Sequence, residues 1–248
     1  MDGNKINGLP SSIKGLAKLD RLFLGGNKLT SVPDVIGEFK KLTYLDLSHN
    51  YISSLPNVIK GLTNLEYLSL GYNSLTTLSR ELGNLEKLKI LNLGNNQINC
   101  LPDSLKNLSN LSSLQLQNNG LVSLPEWLGE LNELTYMNVT GNQITSLPDC
   151  IRGLPKLMNL SLDGYNLPIL LEQLCEIDGL DSLALYVNDR DELICALNKH
   201  INYHCLAVKN LTLRLPSVGY VQPWSDDHKK QIKELLPRTT ICFSYNVI

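Results

Sequence analysis

Aromatic residues make up only 6% of this 248-residue chain, with two tryptophans and three phenylalanines. An interior built on large rings is therefore excluded, and the 43% apolar content rests mostly on leucine. No run of lysine or arginine occurs, and the formal net charge is −2, which argues against nucleic acid or an anionic membrane surface as partner. No apolar stretch reaches the length of a spanning helix, so no membrane insertion is expected, and Met1-Asp2-Gly3-Asn4 does not read as a signal peptide. The six cysteines (Cys100, Cys150, Cys175, Cys195, Cys205 and Cys242) show no framework spacing. Reduced thiols in a cytoplasmic compartment are the expectation. A glycine-rich phosphate loop is missing too, and no Ser/His/Asp spacing supports nucleophilic catalysis, so neither a catalytic residue nor a cofactor is expected.

What is present is a period. Asn4, Asn27, Asn50, Asn73, Asn96, Asn119 and Asn142 recur every 23 residues, and Asn188 rejoins the phase after Tyr165 breaks it. Leu-x-Leu precedes nearly every full copy, as in Leu45-Asp46-Leu47 and Leu91-Asn92-Leu93. Ahead of it runs Leu55-Pro56-x-x-Ile59-x-x-Leu62-x-x-Leu65, with Pro33, Pro102, Pro125 and Pro148 in the proline slot and Ser79 replacing it once. Such regularity means stacked small units, none able to bury its apolar face alone.

Each residue type has a physical task. Leu-x-Leu makes a short strand with both leucines inward and the intervening side chain outward. The asparagine sits where the chain turns away. Its amide can satisfy backbone groups of its own and the next coil, worth roughly 1–3 kcal/mol each if left unpaired. Proline holds its own φ and keeps the preceding residue extended.

These motifs resemble the leucine-rich repeat family, in the 23-residue Leu-Pro-x-x-Ile form of Ras-group and Scribble-like proteins and of bacterial effectors. The resemblance implies an α/β fold: a curved right-handed solenoid with a parallel concave sheet of about ten strands and short 3-10 or extended convex segments. It would be helix-backed at the C-terminal end. One domain is expected over 1–248, regular over 1–168 and irregular over 169–248.

In that later part, Leu193, Ile194, Leu197 and Ile201 follow Asp191-Glu192 at helical spacing, and Ser225 is placed to cap a second helix stopping at Pro237. At the other end Ile6, Leu9, Ile13 and Leu16 belong to a unit without its strand. Self-association through that uncapped end is one expectation, and a truncated or loosely ordered start is another.

The register sorts the outward positions. Arg21, Phe23, Tyr44, Asp46, His49, Tyr67, Tyr72 and Ile90 cluster in the first four units. Aromatics flanked by charge are typical of binding hot spots, although neighbouring tyrosines also pack on one another in sheets. Asn92, Gln115 and Asn138, beside Tyr136, add an amide-rich floor suited to hydrogen bonding. Asn27, Asn50, Asn73, Asn96, Asn119, Asn142 and Asn188 are assigned to a structural ladder.

Cys195, His200, His204 and Cys205 are the nearest approach to zinc-ligand spacing, but a histidine-bearing helix explains them as well and no metal is expected. The functional expectation is a protein-interaction module of adaptor or scaffold type, gripping a partner on its concave sheet. The alternatives are a bacterial effector acting in a host cytosol, or a substrate-recognition fragment of a longer enzyme.

Overall fold

A computed structural model describes residues 3–199, 208–215 and 223–245. Ten strands follow in chain order. They are β1 (Arg21–Phe23), β2 (Tyr44–Asp46), β3 (Tyr67–Ser69), β4 (Ile90–Asn92), β5 (Ser113–Gln115), β6 (Tyr136–Asn138), β7 (Asn159–Asp163), β8 (Ser182–Tyr186), β9 (Asn210–Leu215) and β10 (Thr240–Tyr245). The chain divides into two compact units. The first runs to Leu121 and includes Glu130–Leu134; the second comprises Val122–Gly129 and the chain from Thr135 onward.

Within the first unit β1 to β5 pair in parallel, one repeat apart: Tyr44 opposite Tyr67, Leu45 opposite Leu68, Asp46 opposite Ser69. Leu45, Leu47, Leu68, Leu70, Leu91 and Leu93 are completely buried, as the Leu-x-Leu alternation requires. Behind the strands the return segments are one-turn 3-10 helices, including Asp34–Glu38, Asn57–Gly61 and Arg80–Asn84. Prolines 33, 56 and 102 stand immediately before them with φ between −61° and −75°. A proline there pre-sets the entry and forfeits an N–H that the helix does not use. Where Ser79 takes the slot, its hydroxyl accepts from Glu81 N at 3.2 Å and caps the turn instead.

The asparagine ladder connects each coil to the one before it, not to the next as the sequence suggested. Asn73 Oδ1 accepts from Ile52 N at 2.9 Å, while its Nδ2 donates to Leu47 O, Leu70 O and Gly71 O. Asn50, Asn96 and Asn119 repeat the arrangement. Asn27 and Asn142 are buried and donate to their own turns.

In the second unit β6 to β10 also pair in parallel. The strands from β7 onward lengthen, and helices replace the 3-10 turns: α1 (Leu167–Leu174), α2 (Arg190–Lys199) and α3 (Asp226–Leu235). Ser225 caps α3, accepting from His228 N at 3.1 Å, while His228 Nδ1 accepts from Ser225 N at 3.3 Å. Asp189 caps α2 through Asp191 N and Glu192 N. Helix α1 is not among the elements expected from the repeat. Its buried Leu167, Leu170, Leu171 and Leu174 lie at i, i+3, i+4 and i+7.

Asn188 departs from the ladder. It is exposed, because β8 continues through Tyr186 before the chain bends. The expectation of uniformly reduced thiols is also corrected: Cys175 is disulfide-bonded. Cys100, Cys150, Cys195 and Cys242 are free.

Candidate functional site

On the outward side of β1 to β3 the aromatic side chains assemble into a column. Phe23 packs on Tyr44 with ring centroids 4.9 Å apart, and Tyr44 stacks on Tyr67 at 4.0 Å with planes only 2° from parallel. The cause is the register: parallel strands one repeat apart place these positions directly side by side. Arg21 lies 5.9 Å from the Tyr44 ring centre, within cation–π range. Phe23 is 39% exposed, whereas Tyr44 and Tyr67 are half-buried. Burial, then the hydrogen bond with Tyr67, pushes the Tyr44 hydroxyl up to about 12, so it is a neutral donor at any ordinary pH.

A second stack stands at the strand ends. His49 and Tyr72 lie ring on ring at 4.1 Å. Both have left-handed backbones, φ 52° and 57°. Gly26, Asn95, Asn118 and Gly141 occupy the same repeat position with similar φ, and those residue types tolerate it well. A bulky ring such as that of Tyr72 is strained there, while histidine visits this region more readily. The sequence thus places His49 and Tyr72, both exposed, where smaller residues fit the backbone better. Strained residues of this kind cluster at binding sites.

The amide floor is partly committed to the fold. Asp46 Oδ1 accepts from Ser48 N at 2.9 Å, Asn92 Oδ1 from Gly94 N at 3.0 Å, and Asn138 Oδ1 from Thr140 N at 3.1 Å. These are Asx turns two residues long, closing the strand end in alternate repeats. Asn95 and Asn118 bond each other at 2.8 Å. Ser69, which stands between Leu68 and Leu70 and so on the outward side of β3, is nevertheless only 3% exposed. Ile90 and Gln115 are half-buried in the first unit, while Tyr136 and Asn138 belong to the second.

The second unit holds a pair that the repeat register did not single out. Arg214 Nη1 donates to the Tyr186 hydroxyl at 2.7 Å, with its guanidinium carbon 5.4 Å from the ring centre. The lengthened β8 and β9 were the available signal. A cavity of about 580 Å³ opens between the starts of α2 and α3, bordered by Asp189, Asp191, Trp224 and His228. His228 there has Ser225 Oγ at 2.7 Å and Asp191 Oδ1 at 3.5 Å. That hydroxyl is engaged in capping α3, and Asp191 has 91% of its side chain in solvent, so the trio is a helix cap. Of the proposed zinc ligands Cys195 is exposed on α2, and His200, His204 and Cys205 lie outside the described residues. Among the described residues no group of three or more His, Cys, Asp or Glu could hold a metal. No helix among them is long and apolar enough to cross a membrane.

Comparison with known proteins agrees with the repeat geometry. A family model described as leucine-rich repeat region matches residues 1–115, and one described as leucine rich repeat matches 109–167. No curated protein matches the chain. Among solved structures, internalin C2 of Listeria monocytogenes is 31% identical with a TM-score of 0.60, over 65% of this chain and 69% of that one. A leucine-rich repeat protein of Leptospira interrogans is 27% identical over 97% of this chain and 76% of its own, with a TM-score of 0.48.

Proposed function

The chain belongs to the leucine-rich repeat family, and we propose that it is a protein-binding module of adaptor type whose main contact surface is the strand face of β1 to β4. The observation that carries this reading is the pair of aromatic stacks, Phe23–Tyr44–Tyr67 and His49–Tyr72, on adjoining repeats. Rings already packed against each other lose little side-chain freedom when a partner arrives, so most of their burial is available for affinity. Arg21, Asp46 and Ile90 supply polar and aliphatic surroundings, and Tyr and Arg are the residue types that dominate measured interface energies. Asn92 and Gln115, in the same unit, are read as peripheral contacts, since an oxygen of Asn92 already serves the fold; Tyr136 and Asn138 belong to the second unit and are not counted in this surface.

The test is capture of partner proteins by the wild-type chain and by the Tyr44→Ala/Tyr67→Ala variant. Capture is expected to weaken at least about tenfold, the loss of roughly 1.4 kcal/mol or more of contact. The variant itself should stay folded, because neither ring belongs to the buried leucine core. Unchanged capture removes the face from consideration.

Similarity to an internalin of Listeria favours a second biological setting, a bacterial effector acting on a host protein through the same face. The disulfide at Cys175 supports an oxidising environment over the cytoplasm. A secretion assay separates these settings: export of the chain supports the effector, and strict retention supports the adaptor.

A further inference from the structure

We propose that Arg214 and Tyr186, on the outward side of the second unit, form a carboxylate-binding site that takes an acidic side chain of a partner protein. Neither residue belongs to the strand face of β1 to β4, so this contact is separate from the one proposed above. β9 lies between β8 and β10. The register sets Arg214 beside Tyr186 on one side and Ser244 on the other. Leu211, Leu213 and Leu215 are buried, so Thr212 and Arg214 between them face outward.

The guanidinium is held in place before any partner arrives. Arg214 Nη1 donates to the Tyr186 hydroxyl at 2.7 Å, and the guanidinium carbon stands in cation–π range of the ring. A side chain fixed in this way loses little further freedom on binding.

Its charge, however, is not met. Lys209 and Arg152 of the same unit each have a carboxylate partner, Asp181 at 2.6 Å and Glu176 at 2.8 Å. Among the described residues none pairs with Arg214, whose contacts are those to Tyr186. Half-buried, it therefore keeps most of its N–H donors unused. The Tyr186 hydroxyl, which accepts from Arg214, still has its own proton to donate. Ser244 Oγ, one strand away, is buried without a hydrogen-bond partner, a costly state that an acceptor oxygen in this place relieves.

Shape and charge select the occupant. Ala184, Thr212 and Cys242 stand side by side in register, a floor of short side chains across which a partner's side chain can reach the guanidinium. The planar fork of arginine matches a planar carboxylate through two parallel bonds. A phosphate brings a second charge that one cation leaves unmatched. Asp163, the outward carboxylate level with Tyr186 on β7, stands on the far side of that ring and is engaged by the Gly141 and Asn142 amides.

The test uses the full chain and an acetylated, amidated pentapeptide with one central glutamate among serines and threonines. Its glutamine counterpart, acetate and inorganic phosphate are the comparison probes. Affinity is measured on the probes' own NMR signals, and the place of binding on the Arg214 Nε–H signal of isotope-labelled protein, with exposed Arg238 as internal reference. The glutamate peptide is expected to bind at least about tenfold tighter than every other probe, and to move Arg214 well before Arg238. Arg214→Lys keeps the charge without the fork, and Tyr186→Phe keeps the ring without the hydroxyl. Each should weaken the glutamate peptide several-fold while leaving the thermal midpoint near wild type, since neither side chain belongs to the buried leucine core. Tyr44→Ala/Tyr67→Ala should bind this peptide unchanged, so failure here and failure of the strand face are separate results. Equal affinity for the glutamate and glutamine peptides overturns the proposal, as does an Arg214 signal that moves no earlier than that of Arg238. Acetate or phosphate binding as tightly as the glutamate peptide overturns it too, because the site would then serve a free anion. Undiminished binding by Arg214→Lys does the same for the fork, and loss of binding in the tyrosine variant moves the peptide onto the strand face.

Discussion

At the scale of single residues, the repeat position alone does not settle how a side chain is used. Cys100 and Cys150 are both free, yet their environments differ. Burial pushes the Cys150 thiol up to about 11, although its sulfur also approaches Pro125 O at 4.0 Å. The thiolate is the reactive form, and at pH 8 a group of that pKa is ionised to only about one part in a thousand. Cys150 should therefore resist iodoacetamide at pH 8 while exposed Cys100 is modified, as peptide mass spectrometry would show. Equal labelling would mean that the thiol reaches solvent. Gly94 illustrates the opposite constraint. A Cβ there would run into the Gln117 side chain, and at Gly83 it would strike the Ser104 carbonyl oxygen. A side chain can swing away but backbone cannot. Gly83→Ala is thus expected to lower stability by about 1–3 kcal/mol, and Gly94→Ala by less, in urea unfolding.

Elements show where the periodic pattern stops being informative. The strands, the prolines ahead of the 3-10 turns, the α3 cap at Ser225 and its end before Pro237 all follow from residue spacing, because each depends on local geometry that a repeated motif states many times. Legibility fails where one copy differs from its neighbours. Tyr165 broke the asparagine rhythm, and α1 fills that place through a leucine spacing that the repeat register masked. The stacks of Tyr44 on Tyr67 and of His49 on Tyr72 follow from strand pairing. The internal use of Asp46, Asn92 and Asn138 as turn acceptors does not, since alternation reports which face a residue takes and nothing about its bonds. The junction at β7 has its own chemistry. In the regular coils His49 N and Tyr72 N donate to carbonyls of the following coil. At Gly141 and Asn142 the acceptor is Asp163 Oδ2, at 2.6 and 3.3 Å. Burial raises the Asp163 carboxyl above its ordinary range, with the two amides opposing. A raised folded value means stability fully present below the unfolded pKa and lost as pH climbs through the folded one. Measured against Asp163→Asn, which keeps an acceptor oxygen, the wild-type chain should lose relative stability from about pH 3 toward neutrality. A difference that grows with pH would show that the amides outweigh burial.

For the whole molecule, the consequence of stacking is that neighbours matter and distant coils do not. Asn73 lets this be measured. It is in the interior of the first unit, and its carboxamide makes one bond to Ile52 N and one to Leu47 O of the preceding coil, besides those to its own turn. Alanine there leaves Ile52 N without its acceptor, and a buried group so orphaned costs roughly 1–3 kcal/mol; Leu47 O, Leu70 O and Gly71 O each lose one donor but keep another, from Asn50 Nδ2, Asn96 Nδ2 and His49 N. If stability is a sum of coil and interface contributions, amide exchange in Asn73→Ala should speed up in β2, β3 and β4, which its repeat joins, and stay near wild type in β8 and β9. The strand face holding Tyr44 and Tyr67 would then loosen, and partner capture should fall although no contacting side chain has changed. Asn73→Asp retains Oδ1 as acceptor but turns a charged carboxylate oxygen toward the Leu47, Leu70 and Gly71 carbonyl oxygens in place of the amide donor, so it should be at least as damaging as alanine. Uniform acceleration across both units would mean that they unfold as one cooperative body, and the coil-by-coil account of stability would have to be abandoned.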